Sequence, residues 1–121
     1  MGKFREFELS TGKIVFLGKD AVNNDLLVSS ANPLDFLIHT AAPGSPFCNV
    51  GEKPIKKEIK EAAIFTALKS QIWRDSKSDV VVHIFKKADV FKDNKMKAGS
   101  WEVKRFSELK IKKVEILKCV E

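Results

Sequence analysis

Asp35-Phe36-Leu37-Ile38-His39-Thr40-Ala41-Ala42-Pro43-Gly44-Ser45-Pro46-Phe47 decides how the rest of the chain is read. Its first half is an apolar run interrupted by His39, which predicts a short buried strand over residues 35–40. Pro43 and Pro46 stiffen the backbone on either side of Gly44, so Ser45 points in one direction with little entropy left to lose. Phe47-Cys48-Asn49-Val50 then returns to apolar residues and predicts another strand.

Upstream, residues 4–9 alternate imperfectly, Ser10-Thr11-Gly12-Lys13 is a turn, and Ile14-Val15-Phe16-Leu17 is apolar. Together they predict a β-hairpin. Gly18-Lys19-Asp20 breaks the strand, and Asp20 is placed to cap a short helix near 20–28. Inside that helix Asn23-Asn24-Asp25 carries two readings, turn-and-cap chemistry or ligand contact. Pro33 keeps the residue before it extended.

Downstream, residues 52–76 hold the clearest helical pattern. Pro54 suits a first helical position. Ile55, Ile59, Ala62, Ala63, Thr66, Ser70 and Trp73 share one face, so one main helix over about 54–74 is expected to pack on a sheet. Lys53, Lys56, Lys57 and Lys60 in its first turns oppose the helix dipole. Either an anion docks there or Glu52, Glu58 and Glu61 neutralise them.

Residues 79–85, Asp-Val-Val-Val-His-Ile-Phe, predict a strand buried on both faces, with His83 a structural histidine. Lys86 and Lys87 follow, then a basic loop over 92–99. Trp101, Val103 and Phe106 bracket Lys104-Arg105. Cations among rings are what a nucleic-acid surface uses, and core packing of both rings is the competing reading. Residues 111–117 fit a strand or a short helix. The expected fold is α+β in a single domain over residues 1–121. A mixed or antiparallel sheet packs against the main helix, with the short helix beside it.

At 121 residues the chain has one domain's length, and 44% hydrophobic with 31% charged residues excludes disordered and fibrous classes. The formal charge is +6, and twelve of the 22 basic residues lie after Ser76 against seven of the 16 acidic ones. That bias points to a polyanion partner. Cys48 and Cys119 lack metal-ligand spacing and read as free thiols of an intracellular protein. No apolar run approaches the roughly 20 residues of a membrane span, and no apolar leader follows Met1. A cytoplasmic protein with no membrane partner is expected.

Catalytic motifs are missing: no Walker A loop, no Gly-x-Gly-x-x-Gly, no zinc pattern and no nucleophile elbow around Ser45. Asp35 and His39 lie about 13 Å apart on a straight strand, at roughly 3.3 Å per residue, too far for a dyad. The expectation is a non-catalytic protein with no cofactor and no metal.

These residues carry a family resemblance over nearly the whole chain. Gly18-Lys19-Asp20-Ala21-Val22-Asn23-Asn24-Asp25 is similar to a Gly-Arg-Asn-x-x-x-Asn-Asp signature, and Asp35-Phe36-Leu37-Ile38-His39-Thr40 to an Asp-Leu-Trp-Phe-His-Ala strand. Pro43-Gly44-Ser45 is similar to a Pro-Gly-Ser-His turn, and Lys97-Ala98-Gly99 to a Lys-x-Gly loop. In order and spacing the chain resembles the NFACT-R domain, the RNA-binding module of NFACT proteins that act in ribosome-associated quality control. It departs from that pattern at Lys19 for Arg, Leu37 for Trp and Pro46 for His. It also lacks the other NFACT modules, so a stand-alone version is expected.

The resemblance implies binding of RNA, tRNA or rRNA, with the ribosome as a further partner. The implied sites are Gly18, Lys19, Asn24, Asp25, Asp35, His39, Gly44, Ser45, Lys86 and Lys97, with Lys56 and Lys57 extending the basic rim. Glycines would let backbone approach phosphate, lysines would neutralise it, and Asn24 and His39 would contact ribose or base edges. Asp25 and Asp35 would orient their neighbours. Two alternatives stand beside it: an enzyme on a nucleic acid or nucleotide using Asn24, Asp25, Asp35 and His39, or a protein-interaction module.

Overall fold

Two hydrophobic layers, one on each face of a six-stranded antiparallel sheet, organise the protein. The computed structural model describes residues 3–119. Met1 and Gly2, the start of the segment read for a leader, lie outside them. The chain runs β1 (Arg5–Glu8), β2 (Ile14–Leu17), α1 (Ala21–Ser30), β3 (Phe36–Thr40), β4 (Cys48–Gly51), α2 (Lys56–Leu68) and α3 (Gln71–Ser76). It continues through β5 (Val80–Lys86), β6 (Val90–Phe91), β7 (Glu102–Val103), β8 (Ser107–Ile111) and α4 (Lys113–Cys119). The sheet order is β1-β2-β4-β3-β5-β8, and β6 with β7 forms a separate small ribbon.

Strand periodicity sorts the side chains into the two layers. Val15, Leu17, Ile38, Val50, Val80, Val82 and Ile111 are buried against Ala62, Ala63 and Ala67 of α2 and Ile116 of α4. The three alanines let α2 lie close to the strands. On the other face Leu37, Phe47 and Phe85 pack with Leu27 and Val28 of α1 and with Val90. The central β3–β5 pair is thus covered by α2 on one side and, at Leu37 and Phe85, by α1 on the other, while Val81, His83 and Ile84 stay half-buried rather than fully buried as the apolar run predicts. Truncating Ile38, fully buried, to alanine would cost about 2–5 kcal/mol.

The main helix is broken where the sequence predicts continuity. α2 ends at Leu68 and α3 begins at Gln71. Ser70 is the cause: its hydroxyl accepts from Trp73 N at 3.2 Å and donates to Ala67 O at 2.6 Å. It caps one helix and closes the other. The carboxy-terminal ambiguity resolves both ways, with strand through Ile111 and helix from Lys113.

The α1 face covers only part of the sheet. Leu37 and Phe85 lie under it, whereas their neighbours His39 and His83, paired in register on β3 and β5, sit at its margin.

Candidate nucleic-acid interface

At that margin a cleft of about 620 Å³ opens. Its floor holds His39, His83 and Phe85. Its walls are residues 18–21 leading into α1, the turn at residues 43–47, and the loop at residues 97–101.

The Pro-Gly-Ser-Pro turn is held from two sides. Ser45 Oγ is buried and accepts from Thr40 N at 3.1 Å. Gly44 O accepts from Gln71 N at 3.0 Å, which docks the start of α3 beside the turn. Gly44 has φ +86°, a conformation that favours glycine. A Cβ there would also stand 3.0 Å from Gln71 Cβ.

The first wall depends on long-range ties from α1. Asp20 caps the helix by accepting from Asn23 N at 2.8 Å. Asn23 Oδ1 accepts from Lys19 N at 2.8 Å, and its amide donates to Lys3 O at 2.8 Å. Asn24, buried, accepts from Phe47 N at 3.0 Å. Asp25 Oδ1 receives three donors: Trp101 Nε1 at 2.9 Å, Gly99 N at 3.0 Å and Lys92 Nζ at 3.2 Å. Lys92 also donates to the carbonyls of Lys97 and Ser100, and its ammonium lies 5.4 Å from the Trp101 ring centre. The third wall is therefore stapled to α1 through one carboxylate oxygen.

Of the residues read from the sequence, Gly18, Lys19, Asn24, His39, Gly44, Ser45 and Lys97 line the cleft. The others stand elsewhere. Asp25 lies behind the loop it staples. Asp35 is buried ahead of β3, where Oδ2 accepts from Asn32 N at 2.9 Å and Asn49 Nδ2 at 3.1 Å. Lys86 is on the α2 side, its ammonium 5.6 Å from the Phe36 ring centre. Lys56 and Lys57 occupy the first turn of α2, whereas Lys69, just past its other end, lines the cleft. At the α2 start Glu58 accepts from Ile55 N at 3.0 Å and from the Thr11 hydroxyl at 2.6 Å, bonds that hold its carboxyl below the usual carboxylate range. Glu58 thus takes one of the N–H groups that an anion at that helix end would meet.

Three cations of the rim were not read from the sequence: Arg5, Lys69 and Arg74. Arg74 is braced by donating to Lys69 O at 3.2 Å and to Gln71 Oε1 at 2.9 Å. With Lys19 and Lys97 they surround the opening, whose lining includes one carboxylate, the helix-capping Asp20. His39 adds no charge. Its ring stacks on Phe47 at 4.2 Å, and burial pulls its pKa down to about 4 against the opposing pull of the Thr40 and Ser45 backbone. Neighbouring His83 lowers it further. At neutral pH it is a neutral donor and acceptor.

Among the described residues no group of three or more His, Cys, Asp or Glu could hold a metal ion. No described helix is long and apolar enough to cross a membrane.

A solved structure, the C-terminal of the fibronectin/fibrinogen-binding protein from Streptococcus suis, matches with a TM-score of 0.83 at 20% identity. The match covers 98% of this chain and 49% of that one, so this chain spans about half its length. At that identity the likeness is one of fold. A search of the curated proteins gives no match. The family model of the NFACT protein RNA-binding domain matches residues 3–105, which include every wall of the cleft. The chain belongs to the NFACT-R family of RNA-binding domains.

Proposed function

We propose that the cleft beside His39 is the surface through which this domain holds RNA, with Arg5, Lys19, Lys69, Arg74 and Lys97 taking phosphates. The observation that carries the reading is the charge of the rim: five cations against one carboxylate that is engaged as a helix cap. Phosphate contacts supply most of the affinity of such interfaces and fix the register of the nucleic acid. Neutral His39 contributes a hydrogen bond to ribose or a base edge. In this reading the domain is a non-catalytic module of the cytoplasm, its RNA is tRNA or rRNA, and it meets that RNA on the ribosome. A four-residue catalytic centre has no support here, because Asp25 and Asp35 lie outside the cleft, each committed to backbone and side-chain donors.

Equilibrium binding of tRNA and of ribosomal RNA fragments over a range of salt tests the proposal. Log affinity should fall linearly with log salt, by about 0.7–0.9 for each phosphate held. An absence of binding at low salt overturns it.

A further inference from the structure

A row of rings crosses the sheet beside the cleft. Phe47 stacks on His39, with ring centres 4.2 Å apart and planes at 27°. His39 pairs in register with His83. His83 in turn stacks on Phe106 at 4.0 Å and 24°. The row runs from the core into solvent: Phe47 is buried, and Phe106 is 49% exposed. Its outer end carries an acid, for Glu108 is the in-register partner of His83 on β8 and lies 3.0 Å from His83 Nε2.

One exposed phenylalanine is ordinary on a protein surface. This one differs in its company. It terminates a row whose other three rings line the cationic cleft, and it follows Lys104 and Arg105 directly. Sheet register holds His83 and the strand beginning at Ser107, and the stack on His83 orients the Phe106 ring, which lessens the freedom to be lost when a planar ligand stacks on it.

We infer that this row is a stacking platform for an unpaired nucleobase, reached by an RNA whose phosphates occupy the cleft. The inference rests on the RNA-binding reading above. The substrate class is then RNA with an unstacked nucleotide in a loop, a bulge or an end. Bases inside an A-form duplex are stacked on one another and cannot lie on a protein ring.

The test compares three RNAs of one length: a single strand carrying 2-aminopurine at its centre, the same strand abasic at that position, and a blunt duplex. The abasic strand should bind about tenfold more weakly than the intact one. Phe106→Ala should lose the same factor on the intact strand and nothing on the abasic one, and should abolish the 2-aminopurine quenching that Phe106→Trp retains. Equal binding of intact and abasic strands, or equal loss on both in Phe106→Ala, overturns the platform and leaves the cleft reading standing. Failure of every RNA to bind at low salt overturns both. Adenosine monophosphate binding as tightly as the intact strand overturns RNA as the source of the base.

Discussion

Gly18 lies so close beneath Asn24 that a Cβ on Gly18 would stand 1.9 Å from Asn24 Oδ1. The contact has a structural purpose. Gly18 N donates to Phe47 O at 3.1 Å, continuing the β2–β4 ladder one step past Leu17 and Cys48. The chain then turns away, and the Asn24 side chain takes the Phe47 N–H in place of the departed strand. Gly18→Ala should therefore expel Asn24 and leave a buried donor unpaired, at a cost of about 1–3 kcal/mol. Asn24→Ala should cost a similar amount. The double variant should be more stable than the sum of the two predicts, by at least ~1 kcal/mol in denaturant titrations. Additive losses would mean that the two residues act separately.

Asp25 closes the third wall of the cleft by gathering Lys92, Gly99 and Trp101 on one oxygen. Asp25→Ala should release residues 92–101 while leaving the sheet folded, because the loop adds little to either hydrophobic layer beyond Trp101 and Val103 nearby. Hydrogen exchange at the Gly99 amide should accelerate, and Trp101 emission should shift to the red over a constant background from buried Trp73. Global stability should fall by about 1–3 kcal/mol. An unchanged Gly99 exchange rate would count against the staple.

The elements legible in the sequence are those that depend on short-range pattern. The apolar run Ile14–Leu17 and the β-branched run around Val80–Lys86 are such patterns, and both are strands. The break at Ser70 escaped because Thr66, Ser70 and Trp73 keep helical spacing across it, so the apolar stripe hides a capping serine. Asn23, Asn24 and Asp25 were read as turn-and-cap chemistry or ligand contacts. Asp20 makes the cap and Asn23 Oδ1 adds a local bond from Lys19 N, but the triplet also reaches Lys3 O, Phe47 N and Trp101 Nε1, partners far off in sequence. Residue type cannot disclose a partner chosen by tertiary packing. The same holds for Arg74, which reaches the rim only because Gln71 N docks on Gly44 O.

The rim cations and the α2 cations give different salt behaviour. Arg74→Ala and Lys97→Ala should each weaken RNA binding and lower the slope of log affinity against log salt by about 0.7–0.9. Lys56→Ala and Lys57→Ala should leave that slope unchanged, because both sit in the first turn of α2, away from the cleft. A slope that drops for the α2 pair and not for the rim pair would move the RNA to the other side of the sheet.

His39 makes stability depend on pH in one direction. Its pKa is lowered from 6.5 to about 4 by burial, against the backbone of Thr40 and Ser45, so the unfolded chain binds a proton that the folded one refuses between those values. Above pH 6.5 both states are neutral and the residue contributes no slope. As pH falls from 6.5 to 4 the folded state loses stability, by at most roughly 3 kcal/mol, and the loss levels off below pH 4. His39→Gln should flatten this part of the profile in denaturant titrations at stepped pH. RNA affinity should follow a different course, since lysines and arginines, not His39, hold the phosphates in the proposed complex. If affinity of the still-folded protein rises steeply from pH 7 to 6 and His39→Gln removes the rise while His83→Gln does not, His39 is gaining its proton in the bound state and acts as a cation toward phosphate rather than as a neutral hydrogen-bonding ring.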